Sequence, residues 1–505
     1  MTAPSRAPEA GSKPRDTPRT SAHVWVSSTY FSEGLPYYVV NNLADVMFKQ
    51  AGASLQAVGL TTLFHLPWNL KFLWGPFLDQ YATKRRWLVG SEVLLSIILV
   101  ALAWIAQTPG TLVLVSVAFL ALAFASATHD VAIDGYYLEA LDHEGQSKFV
   151  GYRASAYRVS AVLVSGPLLV AIGEWGWSAG LMGAAVFMMG LTWLHSAILP
   201  RVEVQKRSLR ELLRAALGRR VVMAGAALAA LIVVERRYGW ISVGWHGFLG
   251  RTPSTWGLAE IGMSGWIALA IGIGMTSLLA FRRRLAARLG RGSTYAEAYV
   301  TFFSQPQVGR MLAFVILFRV GESLLLKMRW PFLQDELGMS LEGYGWINGT
   351  AGVIASFVAT FLGGWLIARH GLRRWIWPFM LAQNTLNLLY CGLAADSLFG
   401  VAPDWAVGSV IVAEHFGAGL GTAVFMVYIM RCCHPDHKAG HMAIVTALMS
   451  VGYQVAGTVS GFLAEAIGFM AYFGFSFVAA APAMLLAFWI PHLDETGPRA
   501  PSAVT

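Results

Sequence analysis

Of the chain's 505 residues, 56% are hydrophobic and only 13% charged, where a soluble domain carries roughly 25% charged residues. That composition excludes a water-soluble protein and calls for apolar surface covered by lipid. A net charge of +9 would suit a nucleic-acid binder, but the basic residues gather in short loops between apolar runs, so no nucleic-acid partner is expected. Cys391, Cys432 and Cys433 give no disulfide framework.

Residues 1–22 are rich in Pro, Ser and Arg without an apolar core, which reads as a disordered cytoplasmic tail and not a cleaved signal. Apolar runs long enough for a ~30 Å hydrocarbon core follow near 24–48, 56–79, 87–107, 111–138, 149–173 and 178–199. They resume near 310–333, 343–368, 374–395, 405–430, 441–466 and 469–490. The expected fold is an all-α polytopic membrane protein: a six-helix half over 23–200, a linker over 201–309, a second six-helix half over 310–492 and a cytoplasmic tail over 493–505. The linker opens with a basic helical stretch, suited to lipid headgroups, and holds two more apolar runs, 221–235 and 263–281. These read as an extra transmembrane hairpin, with a re-entrant or interfacial element as the alternative, giving 12 or 14 spans. Lys84, Arg85, Arg86, Arg201, Lys206, Arg207, Arg373, Arg374, Arg431 and Lys438 fall in loops on one side, and neutral or acidic loops such as 173–177 and 334–343 fall on the other. The charge bias predicts an inner-membrane protein with both termini cytoplasmic.

Span one carries Glu33, Gly34 and Pro36, then Asn41, Asn42 and Asp45. A Gly–x–Pro in a membrane helix frees backbone groups and favours a kink, so Glu33 and Asn41 are expected to line a cavity, with Asp45 at the outer rim. Span two adds His65, Asn69 and Lys71. Asp130 and Asp134, four residues apart, share one face at the end of span four, while Arg153 and Arg158 open span five. A polar turn folds the two together, so these four residues read as a charge network that pins the spans, couples transport to protons, or does both in different states. In span seven Arg319 and Glu322 are placed for a local pair. Glu322 is a candidate proton site, and Lys327 a candidate contact for an anionic group. Glu414 in span ten, beside His415 and a run of glycines, completes the cavity candidates. The strings VSGPLLVAIG (164–173) and VSGFLAEAIG (459–468) agree at seven of ten positions, in the fifth span of each half. Two six-helix halves in parallel repeat, with a site between them, is transporter architecture.

Three other chemistries lack the residues they need. His129 and Asp134 have acyltransferase spacing, but they lie inside a span and no basic substrate block follows. Cys432, Cys433, His434, His437 and His441 are irregularly spaced for a metal, and no phosphate-cradling loop exists. No catalytic residue, metal or cofactor is therefore expected.

The loop after span two, Gly75, Asp79, Arg85 and Arg86, resembles motif A of the major facilitator superfamily, with Gln80 in place of the usual basic residue; its second copy keeps Gly364, Gly371, Arg373 and Arg374 but has Ala368 in place of the acid. The strings KFLWGPFLDQY (71–81), SATHDVAIDG (126–135), AEHFGAGLGTAVF (413–425) and SVGYQVAGTVSG (450–461) look like the AmpG-type permeases of that superfamily, a group that includes acetyl-CoA transporters. The resemblance implies a major facilitator fold, a gating role for the Gly75–Arg86 loop, and proton-coupled import of a muropeptide, with Asp130 and Asp134 as the family's paired acids. Departures are Glu322, where such permeases tend to show Asp, and Tyr453–Gln454, where an Arg is expected. The expected partners are a small-molecule solute, protons and membrane lipid. The rival readings are a transporter of acyl-CoA, siderophore or another organic anion, and, from another class, a membrane-embedded enzyme or sensor. Oligomeric state and cargo identity stay open.

Overall fold

The computed structural model describes residues 21–201 and 301–494, apart from 72, 73, 76, 77, 79, 80, 109, 400–402 and 435–437; between 202 and 300 it describes only Ser208 and Glu211. The expected hairpin at 221–235 and 263–281, Asp79, and nearly all of both tails lie outside the described residues.

Helix α1 (Ala22–Tyr38) starts where the Ser21 hydroxyl accepts from the His23 N–H. Pro36 lies inside it and has no N–H to donate, and the expected bend takes the form of a π-turn, Val39–Leu43, before α2 (Ala44–Gln50). Next come α3 (Leu55–Leu60), a tight 3-10 turn (Thr61–His65) and α4 (Leu66–Leu70). Three long helices follow, α5 (Lys84–Ile105), α6 (Leu112–Ala140) and α7 (His143–Leu163), the last capped by the Asp142 carboxylate. A second π-turn, Val164–Leu168, leads into α8 (Leu169–Ile198). The other half comprises α9 (Val308–Phe318), α10 (Val320–Asp335), α11 (Leu341–Tyr344), a π-turn (Gly345–Gly352), α12 (Val353–His370), α13 (Leu372–Thr385), α14 (Asn387–Phe399), α15 (Asp404–Arg431) and α16 (Lys438–Leu486).

Six helical stretches among the described residues are long and apolar enough to cross a membrane. Two of them run 48 and 43 residues, Gly151–Ile198 and Ile444–Leu486. Laid straight at ~1.5 Å per residue, either would measure about twice the ~30 Å hydrocarbon core. Gly176 (φ 85°) and Gly468 (φ 74°) turn them back, in a backbone conformation that a side chain would strain. Trp104, Val113, Trp193 and Phe361 point outward and exposed, which suits lipid and not water. The chain is an integral, multi-pass membrane protein.

Within the first half α5 packs on α6 and α8, and α1 on α7; within the second, α12 and α13 pack on α15, and α9 and α10 on α16. The halves meet along two seams: the π-turn Val164–Leu168 lies on Gly345–Gly352, and α3 lies on α16. Both seams depend on missing side chains. A Cβ on Gly349 would sit 1.5 Å from the Ser165 carbonyl oxygen, and one on Gly461 would sit 1.9 Å from that of Leu55. At this end a single apolar core draws on both halves, with Leu43, Val46 and Phe48 beside Leu324, Leu333 and Tyr344. Toward the other end each half keeps a separate core, around Trp25, Tyr30 and Tyr136 in one and Phe314, Phe318 and Tyr428 in the other.

Candidate functional site

Between the halves lies a cavity of about 710 Å³, walled by α1, α7, the start of α10, α12 and α15. It reaches from Asn42 and His415 toward Arg153 and Met426, away from the shared core. Charged side chains concentrate along it, and their partners define what it can do.

Glu33, Asp130 and Asp134 come together, with one carboxylate oxygen of each within 4.8 Å of the others. Gly34 lets α1 lie close against α7, the helix that carries Arg153: a Cβ there would collide with the Ser160 hydroxyl. Asp130, buried, pairs with Lys71 at 2.5 Å. Asp134 accepts from Arg153 at 2.9 Å and from the Tyr30 hydroxyl at 2.8 Å, and the Arg153 guanidinium lies over the Tyr30 ring. Glu33 keeps one carboxylate oxygen, Oε2, buried without a partner. Three carboxylates thus face two cations, and in a low-dielectric cleft the unmatched negative charge is a place to hold a proton. Arg158, expected beside these acids, turns the other way and lies over the Phe357 ring of the second half, 5.1 Å from its centroid.

Arg319 and Glu322 form the local pair that their spacing suggests, and the Gln383 amide and Thr422 hydroxyl complete it. Lys327 differs from its sequence reading. It is buried and faces Asp45 of the first half at 3.7 Å, so Asp45 is a partner across the seam and not a rim residue. Lys49 and Asp335, at 2.5 Å, make a second bridge between the halves. Glu414 is buried against Arg329 at 2.7 Å, and the same guanidinium donates to His415. Asn41 accepts from His65 at 3.0 Å and donates to the Tyr37 carbonyl. Tyr37 sets its edge against Trp68 and packs beside Tyr157, which also meets Tyr38. In the Gly75–Arg86 loop Gly75 is open toward Val131, Arg86 is exposed, and Arg85 donates to the Ser196 and Leu199 carbonyls at the end of α8. His441 hydrogen-bonds with Thr301 and Gln305 and accepts from the His434 N–H.

One buried group escaped the sequence reading. Glu92, fully enclosed, accepts from His195 at 2.6 Å and Ser32 at 3.0 Å, with His129 at 3.4 Å. Its members are spread over four helices and 103 positions separate Glu92 from His195, so no local spacing announces it. The signal available was the lone acid in α5, which an apolar span retains only with partners. Ser32 and His129 adjoin Glu33 and Asp130, so this group fixes the backbone from which the cavity acids project.

A family model described as Major Facilitator Superfamily matches residues 310–505. Relatives run nearly the whole length. An uncharacterised protein of Haemophilus influenzae is 27% identical, over 92% of this chain and 94% of its own. The anhydromuropeptide permease of Escherichia coli K12 is 22% identical, over 90% of this chain and 77% of its own, and a putative transporter AmpG 4 of Rickettsia conorii is 21% identical, over 90% and 93%. In fold, the chain resembles the crystal structure of the peptide transporter POT in complex with sulfate, at TM-score 0.63 and 12% identity over 92% of this chain and 93% of that one.

Two bundles of membrane helices closed over a central polar cavity share the fold of that transporter, and the second half carries the match to the major facilitator superfamily model. Along nearly its whole length the chain is similar to AmpG-type permeases, the group that the strings around Asp130 and Glu414 resemble.

Proposed function

We propose that this protein is a proton-coupled importer of a muropeptide or a similar amphiphilic anionic solute, lying in the inner membrane with both termini cytoplasmic. The observation that carries the reading is the acid group at the cavity wall, where Glu33, which lines the cavity, joins Asp130 and Asp134 behind it and the three outnumber Lys71 and Arg153 by one charge. With the loops oriented by their charge bias, the seam where the halves share a core faces outward and the cavity faces the cytoplasm. A proton arriving from outside neutralises the spare carboxylate, lets the loaded halves rock inward, and leaves where the cytoplasm is less acidic. Support for the cargo class comes from the relatives' names and from the arginines and tyrosines along the cavity.

The test is uptake of labelled anhydromuropeptide into proteoliposomes, with and without an inward proton gradient, beside Glu33→Gln. The wild type accumulates label only with the gradient. The variant, holding a neutral side chain of the same shape, still exchanges label across the membrane but no longer accumulates it. Accumulation by Glu33→Gln equal to wild type would sink the acid-group assignment. Gradient-driven uptake of other organic anions but not of this one would retain the transporter and remove the muropeptide.

A further inference from the structure

Four charged side chains line the cavity, and two of them are paired with acids behind its wall. Arg153 is held by Asp134, and Arg319 by Glu322 and Thr422. Glu33 belongs to the acid group. Arg158 has no hydrogen-bond or ion-pair partner among the described residues; its guanidinium lies over the face of Phe357. A partly buried guanidinium without a counter-ion is a standing demand for an anion, since the surrounding cleft cannot solvate it as water does. Its planar fork matches a carboxylate or a phosphate oxygen pair in a way that an ammonium does not.

The surroundings narrow the ligand. Tyr38 and Tyr157, with ring centroids 5.2 Å apart, line the same cavity as Arg158, and Phe357 stands across from them on the other half. We infer that Arg158 is the anion-binding residue of the cavity, and that it takes a carboxylate carried next to an apolar or ring-bearing portion of the cargo. Because Arg158 is on α7 and Phe357 on α12, cargo seated there touches both halves, so its departure frees them to move apart or together. Lys327, engaged by Asp45, is not available for this role.

The inference rests on the transport reading for one arm of its test and not for the other. In the first arm, proteoliposomes take up labelled anhydromuropeptide or its fully amidated form, which removes the carboxylates and keeps the shape. Wild type is expected to prefer the acid at least tenfold; Arg158→Gln loses that preference by slowing the acid and not the amide, and Arg158→Lys restores part of it. In the second arm, the purified protein in detergent is melted with N-acetylphenylalanine, with its amide, or with phosphatidylglycerol. The acid raises the melting temperature of wild type but not of Arg158→Gln, and the amide raises neither. Unliganded variants melting with wild type show that they fold. A preference for the acid that survives Arg158→Gln, stabilisation by the lipid alone, or no acid-specific stabilisation of wild type would overturn the assignment. Failure of anhydromuropeptide uptake with a positive second arm would overturn the cargo and leave Arg158 as the anion site.

Discussion

Lys71 and Asp130 show what decides a charge in this chain: they are 59 positions apart and 2.5 Å from one another. An ionisable group inside a membrane span survives through its partners, and the partners of these groups come mostly from other helices. Arg319 and Glu322 were legible because one helical turn brings them together. The Asp134–Arg153 pair was legible as well, because a short polar turn folds their spans together. The partners of Lys327 and Glu414 required the tertiary arrangement, and Arg158, expected in the charge network with those acids, lies over Phe357 instead. The Glu414–Arg329 pair is almost wholly buried, with side-chain exposures of 3% and 7%. Removing the acid as Glu414→Ala leaves the guanidinium charged and enclosed, a loss expected at about 3–5 kcal/mol. The melting temperature in detergent falls accordingly, and Glu414→Gln, which keeps a hydrogen-bond acceptor, falls less. Equal melting of wild type and the alanine variant would show that water reaches Arg329.

At the scale of the element, the repeat in the sequence acquires a physical cause. The Val-Ser-Gly of 164–166 meets Gly349 and Thr350, and the Val-Ser-Gly of 459–461 meets α3 at Leu55 and Gly59. The same tripeptide recurs because each half presents it to the other where two helices come within contact of their backbones. Periodicity and span length revealed the helices. They did not reveal the π-turns at Val39–Leu43, Val164–Leu168 and Gly345–Gly352, which have no composition of their own beyond a nearby Pro or Gly. The group around Glu92 joins α1, α5, α6 and α8 from within. Glu92→Ala strands two imidazoles in the bundle, so folded yield and melting temperature drop. Uptake by the surviving fraction drops as well, since Ser32 and His129 no longer hold Glu33 and Asp130 in register. A variant melting with wild type would remove that role.

For the whole molecule, the two-half architecture was legible from length, loop charge and the repeat, because a membrane permits few ways to satisfy a backbone. How the halves sit was not, since it depends on small residues meeting over a few ångströms. The seam sets a conformational prediction. Gly349→Leu places a side chain where the Ser165 carbonyl now lies, so the halves cannot close at that end. Uptake is lost while the protein still inserts, and with Cys391, Cys432 and Cys433 replaced, Val170→Cys, buried beside Gly345 in that seam, reacts faster with a membrane-impermeant thiol reagent applied from outside. Unchanged labelling would mean that the seam gives way elsewhere.

The most direct test of proton coupling follows protons and not cargo. With no gradient imposed, anhydromuropeptide is added outside lightly buffered proteoliposomes and the external pH is recorded. The account predicts alkalinisation that tracks uptake, absent in Glu33→Gln and collapsed by a protonophore. Uptake of the solute with no movement of protons would contradict it.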